Sequence, residues 1–214
     1  YGDPTADYIR PDHPVQRRIL QVFSEMTGVP VEDIALGTDG CSAPVFAVPL
    51  RAAALAFARL ADPSALPEPR RSALKRIFNA MTAHPDMVAG PHTFDTELMT
   101  AGRGSILTKG GAEGYQALAL LPGVSRRVTS ALGMVIKISD GDLAPRDPQR
   151  GDSAIVHEGG GRARSTAAVE ALRQLEALDE AQQRELTDYL PRLQRNWRGI
   201  PVGEIRPCFD LHLG

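Results

Sequence analysis

Apolar residues recur along this chain with two different periods. Ile19, Val22, Phe23 and Met26 follow one another at helical spacing and stop at Gly28. Asp12 precedes them as a capping residue and Pro14 suits a first turn, so a helix is predicted over about 13–27. Leu50, Ala54, Phe57 and Ala61 predict a second helix from Pro49 to about Leu60, ended by Asp62-Pro63. Past the turn at 66–69, Leu74, Ile77, Phe78 and Met81 form one stripe of a third, which stops at His84-Pro85. A short fourth helix is predicted around Phe94–Thr100. Beyond it the period shortens, and Ser105–Lys109, Tyr115–Leu121 and Leu132–Ile138 read as strands between glycine-bearing turns. Helical spacing returns over Arg162–Leu178, with Ala168, Val169, Leu172 and Leu175 inward. Asp179 and Gln182 have capping-box spacing for a helix reaching Tyr189-Leu190, and Ile200–Arg206 is predicted as an edge strand. The fold class is therefore α/β, with helices packed on a mostly antiparallel sheet. Residues 142–161 have no periodicity and are expected to form a flexible surface loop.

Composition narrows the function classes. The 214 residues carry 24 Lys+Arg against 26 Asp+Glu, which lacks the basic excess of a nucleic-acid binder. No apolar run approaches the roughly 20 residues of a membrane span, since Val45–Leu60 is broken by Pro49, Arg51 and Arg59. With two distant cysteines, Cys41 and Cys208, a disulfide framework is not expected and a reducing, cytoplasmic setting is. Aromatic residues are only 5%, so the core must be built from Ala, Leu, Val and Ile.

Three segments set a polar residue beside glycine where a short strand meets a turn: Gly37–Cys41, Thr108–Gly114 and Lys137–Gly141. Glycine lets backbone approach a small ligand closely, although Asp-Gly is also the commonest hairpin turn signal. Lys109, flanked by glycine, is either a carboxylate-binding or catalytic amine or a plain surface lysine. Cys41 reads as a small core hydrophobe, a nucleophile or a metal ligand, and no zinc-type spacing surrounds it. His13 and His84 stand at helix boundaries, and His92, His157 and His212 in loops, so the histidines are weak signals. Asp95 and Glu113 are available acids with no demonstrated shared cleft, Arg70-Arg71-Lys75-Arg76 reads as a solvated helix face, and Met81, Met87 and Met99 as core filler.

At these same positions the chain resembles a known family. Pro11–Gln16, Gly37–Pro44, Ala80-Met81 with His84-Pro85 and Val88–Gly90, Lys109–Gly114, and Lys137–Gly141 with Arg162-Ala163 resemble, in order, the blocks of the asparaginase II family, the Rhizobium-type L-asparaginases. The resemblance implies a serine β-lactamase- and glutaminase-like fold, L-asparagine as substrate, and hydrolysis to L-aspartate and ammonia through a serine acyl-enzyme. It also implies Lys109 as a catalytic residue, Asp39 and Gly40 in the substrate-binding turn, Cys41 as one ligand of a zinc ion, and a homodimer. The family's Ser-x-x-Lys motif and remaining zinc ligands are expected before Tyr1, which makes residues 1–214 the C-terminal part of one domain, a fold incomplete as given. On that expectation the fragment alone is inactive and its partner is the N-terminal half of the same protein. Ser72-Ala73-Leu74-Lys75 has the right spacing, but it lies outside the matching blocks and reads as coincidence. A non-catalytic amino-acid-binding or regulatory domain, and a glutaminase or related amidase, are the alternatives.

Overall fold

The computed structural model describes residues 2–142 and 163–213. The expected loop at 142–161 and His157 therefore fall, Asp142 apart, outside the described residues. The chain begins with α1 (Pro14–Thr27), a hairpin of β1 (Ala35–Thr38) and β2 (Pro44–Ala47), and α2 (Leu50–Ala61). Then come α3 (Arg70–Ala83), α4 (Pro85–Ala89) and α5 (Phe94–Ala101), followed by β3 (Ile106–Gly111), β4 (Tyr115–Leu120) and β5 (Leu132–Lys137). It closes with α6 (Arg164–Gln174), α7 (Glu180–Glu185), and a second hairpin of β6 (Arg192–Arg195) and β7 (Pro201–Ile205). Among the described residues all strand pairs are antiparallel, and one sheet has the order β3-β4-β5. The chain is thus α/β with antiparallel sheets, as the periodicity predicts.

Alternation along the strands builds a core on each face of this sheet. On one face Ile106, Leu118 and Leu120 pack with Phe94 and Leu98 of α5 and with Ala168, Val169 and Leu172 of α6. On the other, Leu107 and Ala119 pack with Met99, Phe78 of α3 and Ala61 of α2. Helix α5 therefore runs beside β3 and feeds both cores. Tyr189 stacks edge-on against Phe94 at 4.8 Å and donates its hydroxyl to Glu97 at 2.7 Å. Burial, reinforced by that acceptor, pushes its phenol above the usual range. No helix among the described residues is long and apolar enough to cross a membrane.

Several local expectations need correcting. His13, not Asp12, caps α1: its Nδ1 accepts from the Val15 amide while Nε2 meets the Pro4 carbonyl, and Asp12 pairs with Arg10 instead. Ile77 is exposed, because α3 buries only the Leu74–Phe78 edge of its stripe. Met87, on the short α4, is 82% exposed rather than core filler, whereas Met99 is fully buried. The helix predicted to Leu178 stops at Gln174, although Leu175, Ala177 and Leu178 remain buried. The capping box of Asp179 and Gln182 is present, but its α-helix ends at Glu185, and a 3-10 turn covers Thr187–Tyr189. The segment predicted as an edge strand pairs with Arg192–Arg195 in its own two-stranded sheet.

Among the described glycines, the backbone of another element comes closest at Gly133. A Cβ built there would fall 1.9 Å from the Ala54 carbonyl oxygen and 2.4 Å from the Ala58 nitrogen, so α2 rests its backbone directly on β5. Gly133→Ala should lower unfolding free energy in urea by on the order of 3 kcal/mol, since helix and strand must separate to admit one methyl group. Gly203→Ala, where a Cβ meets nothing within 4 Å, should change it by less than about 0.5 kcal/mol.

Candidate functional site

The three glycine-bearing turns do not share one setting. The second and third meet at one end of the β3-β4-β5 sheet. Gly110 and Gly111 end β3, Tyr115 opens β4, and Lys137 ends β5. The Ile138 amide donates to the Gly114 carbonyl at 2.8 Å, and the Lys137 ammonium bonds the Glu113 carbonyl. Glu113 and Gly141 are in close contact, with Oε2 3.0 Å from where a Gly141 Cβ would stand, so the two turns brace each other.

Beneath this end lies a buried polar cluster. Asp95, in the first turn of α5 and only 3% exposed, accepts the Gly110 amide at 2.6 Å on Oδ2 and the Gln116 side-chain amide at 2.6 Å on Oδ1. The Gln116 amide also donates to the Thr108 hydroxyl at 2.6 Å, which in turn donates to the Ala117 carbonyl. Arg164, the first residue of α6, crosses the sheet end to donate to the carbonyls of Gly111 and Tyr115 at 3.1 and 3.3 Å. The Asp142 carboxylate accepts from the Ala163 and Arg164 amides and so holds the start of α6 beside the third turn. Lys109, by contrast, is exposed; its ammonium donates at 2.6 Å to the Gly110 carbonyl.

The first turn is the loop of the β1–β2 hairpin, which packs on α1 through Phe46 against Phe23 at 4.9 Å. Asp39 organises this loop: Oδ1 accepts from the Cys41 amide at 2.8 Å and the Ala43 amide at 3.0 Å. The resulting bend puts Ser42 at positive φ and leaves Gly40 and Cys41 exposed. The reading of Cys41 as a core hydrophobe is therefore wrong. Among the described residues no three His, Cys, Asp or Glu side chains gather into a metal site. Cys41 thus offers one accessible thiol but not a complete zinc site.

The remaining candidates are accounted for locally. Ser72 is exposed in the first turn of α3 and gives its hydroxyl to Glu68 at 2.5 Å, a contact that holds the Glu68 carboxyl below its usual range. Of the basic cluster read as a solvated face, Lys75 and Arg76 are exposed, whereas Arg70 and Arg71 are half-buried and pair with Glu25 of α1 and with Glu68. The buried Asp95–Gln116 cluster was missed as a unit. Its only sequence signal is an acid in a helix first turn and a glutamine within an apolar strand.

The L-asparaginase II family model matches residues 1–149. This chain belongs to the L-asparaginase II family. The match spans both the Asp39–Cys41 loop and the Lys109–Gly114 strand end, while α6, α7 and the β6–β7 hairpin lie beyond it. No curated protein matches the chain.

For this L-asparaginase II family member, the Asp39 geometry separates loop building from ligand binding. Asp39→Ala should cost about 1 kcal/mol by leaving two amides to water, measured as a lower denaturation midpoint. Asp39→Asn retains a carbonyl acceptor for both amides and should leave the midpoint nearly unchanged.

Proposed function

We propose that the protein is an amidohydrolase that converts L-asparagine to L-aspartate and ammonia, and that the Lys109 strand end and the Asp39–Cys41 loop each contribute residues to its site. Family membership over the residues carrying both turns is the observation that supports this reading. The nucleophile in this proposal is a serine of a Ser-x-x-Lys motif outside the 214 residues. Its oxygen attacks the side-chain amide carbon, and the C–N bond breaks as the serine proton passes to the nitrogen, which leaves as ammonia. Water then cleaves the ester, returning the serine proton and releasing aspartate.

In that reaction Lys109 is the catalytic residue supplied here. An ammonium at the end of a braced strand can hold the substrate carboxylate or favour the serine alkoxide, and it gives up only one bond to a neighbouring carbonyl when it does. Asp39 and Gly40 line the substrate from the hairpin loop, with the Gly40–Cys41 backbone exposed for close approach. Cys41 would provide a thiolate as one ligand to zinc, with the other donors expected outside these residues, and the metal would help hold the substrate beside this loop. The assembly is a homodimer. A chain that binds asparagine without hydrolysing it, or prefers glutamine, is the competing outcome.

Ammonia release from L-asparagine and L-glutamine by the intact protein tests the reading. Release from asparagine is expected, with Lys109→Met reducing kcat/KM about 100-fold or more and Lys75→Met leaving it within twofold. The reverse order would move the chemistry to Ser72, and binding without release would leave only an amino-acid-binding domain.

Zinc content measured on the purified intact protein tests Cys41 separately. Cys41→Ala should lose at least tenfold in zinc affinity, and unchanged metal occupancy would remove Cys41 from the ligand set.

A further inference from the structure

We propose that Asp95 is the positioning residue for Lys109, fixing the strand end from which the lysine works. The proposal rests on the reading of Lys109 given above and extends it to a buried carboxylate that no comparison assigns. Asp95 is not needed as a helix cap, because Thr93 occupies that position and its hydroxyl accepts the Thr96 amide. Nor does an ion pair explain it: among the described residues no cation pairs with its carboxylate. Both its oxygens instead hold the end of the sheet.

The bond to the Gly110 amide acts directly on Lys109. That amide belongs to the peptide group following Lys109, so the carboxylate fixes the plane through which the lysine's Cα is oriented. Strand β3 is the edge of its sheet, where this backbone would otherwise be free to twist. The next carbonyl, that of Gly110, receives the Lys109 ammonium. Gly110 is therefore gripped from below by Asp95 and from its own side by Lys109.

Two further features show that the grip is built in. The Gln116 side chain is fully buried, and with Nε2 bonded to both Asp95 and Thr108 it ties the carboxylate to the body of the sheet. Gly110 leaves room for the arrangement, since a Cβ there would stand 3.3 Å from Asp95 Oδ2 and 3.5 Å from Gln116 Oε1. The position of α5 matters equally. Its first turn faces the edge of β3, and the helix N-terminus favours a negative charge at that place.

Asp95→Asn in the intact protein tests this. Asparagine replaces one acceptor oxygen with an NH2 donor, so the Gly110 and Gln116 amides, which sit on different oxygens, cannot both be held unless the Gln116 side chain turns over and breaks its bond to Thr108. With the protein folded, kcat for asparagine should fall 10- to 100-fold while KM changes less than threefold, the scale expected for a misplaced catalytic group. The second readout does not depend on turnover: the rate at which an amine-acylating reagent labels Lys109, followed by mass spectrometry, should change several-fold while that of Lys75 stays constant. A purely structural Asp95 would lower the melting temperature and leave both kcat and Lys109 labelling as in the wild type, which overturns the proposal. If the asparagine variant does not fold, Asp95→Ser, which suits a helix first turn, is measured in the same way. Absence of ammonia release by the wild type would defeat the asparaginase reading alone, and the labelling comparison would still decide the role of Asp95.

Discussion

A carboxylate buried beneath the open edge of a β-sheet organises the end of this molecule where chemistry is expected. Taking Asp95 out of water is costly, and among the described residues no ion pair offsets the cost. It is offset by directed dipoles: a backbone amide, a side-chain amide and the N-terminus of α5. Because those donors come from β3, β4 and a helix, satisfying one acid fixes three elements relative to one another. Arg164 and Asp142 add α6 to the same end through backbone carbonyls and amides. The sheet end is thus held by polar contacts, while the rest of the sheet is held by apolar layers on its two faces.

Those layers explain the low aromatic content. Alanine is the commonest residue of α2, and its small side chains let the helix backbone come down onto Gly133 of β5. Larger residues at the interface would hold helix and strand apart and leave voids. The same economy applies to α6, where Ala168 and Ala171 are buried beside Val169 and Leu172. Close approach by small residues thus takes the place of bulky side chains as the means of filling the core.

Much of this was legible in the sequence, for identifiable reasons. The helices α1, α2, α3 and α5 and the strands β3, β4 and β5 lie within a residue or two of their predicted places, because each carries several turns or residues of one period. What could not be read were elements too short or too exposed to carry a period. The turn at Gly37–Cys41 was visible, but the first strand of the β1–β2 hairpin is exposed along its length, so its pairing with Pro44–Ala47 shows no buried alternation. Strand β6 is Arg-Leu-Gln-Arg, which gives no apolar signal until its pairing with Pro201–Ile205 is known. The stop of α6 at Gln174 was hidden by Ala177 and Leu178, which stay buried without being helical.

The site was legible as separate pieces but not as an arrangement. Glycine-flanked Lys109 and the Asp39–Cys41 turn are visible in the chain, yet the acid that holds Lys109 in place is 14 residues away on another element, and only folding brings Asp95 to Gly110. The most direct measurement is NMR titration of the isotopically labelled intact protein with the product L-aspartate. The account predicts amide shifts concentrated at Lys109–Gly114 and Thr38–Cys41. Shifts confined to other surfaces, or none at millimolar aspartate, would contradict it.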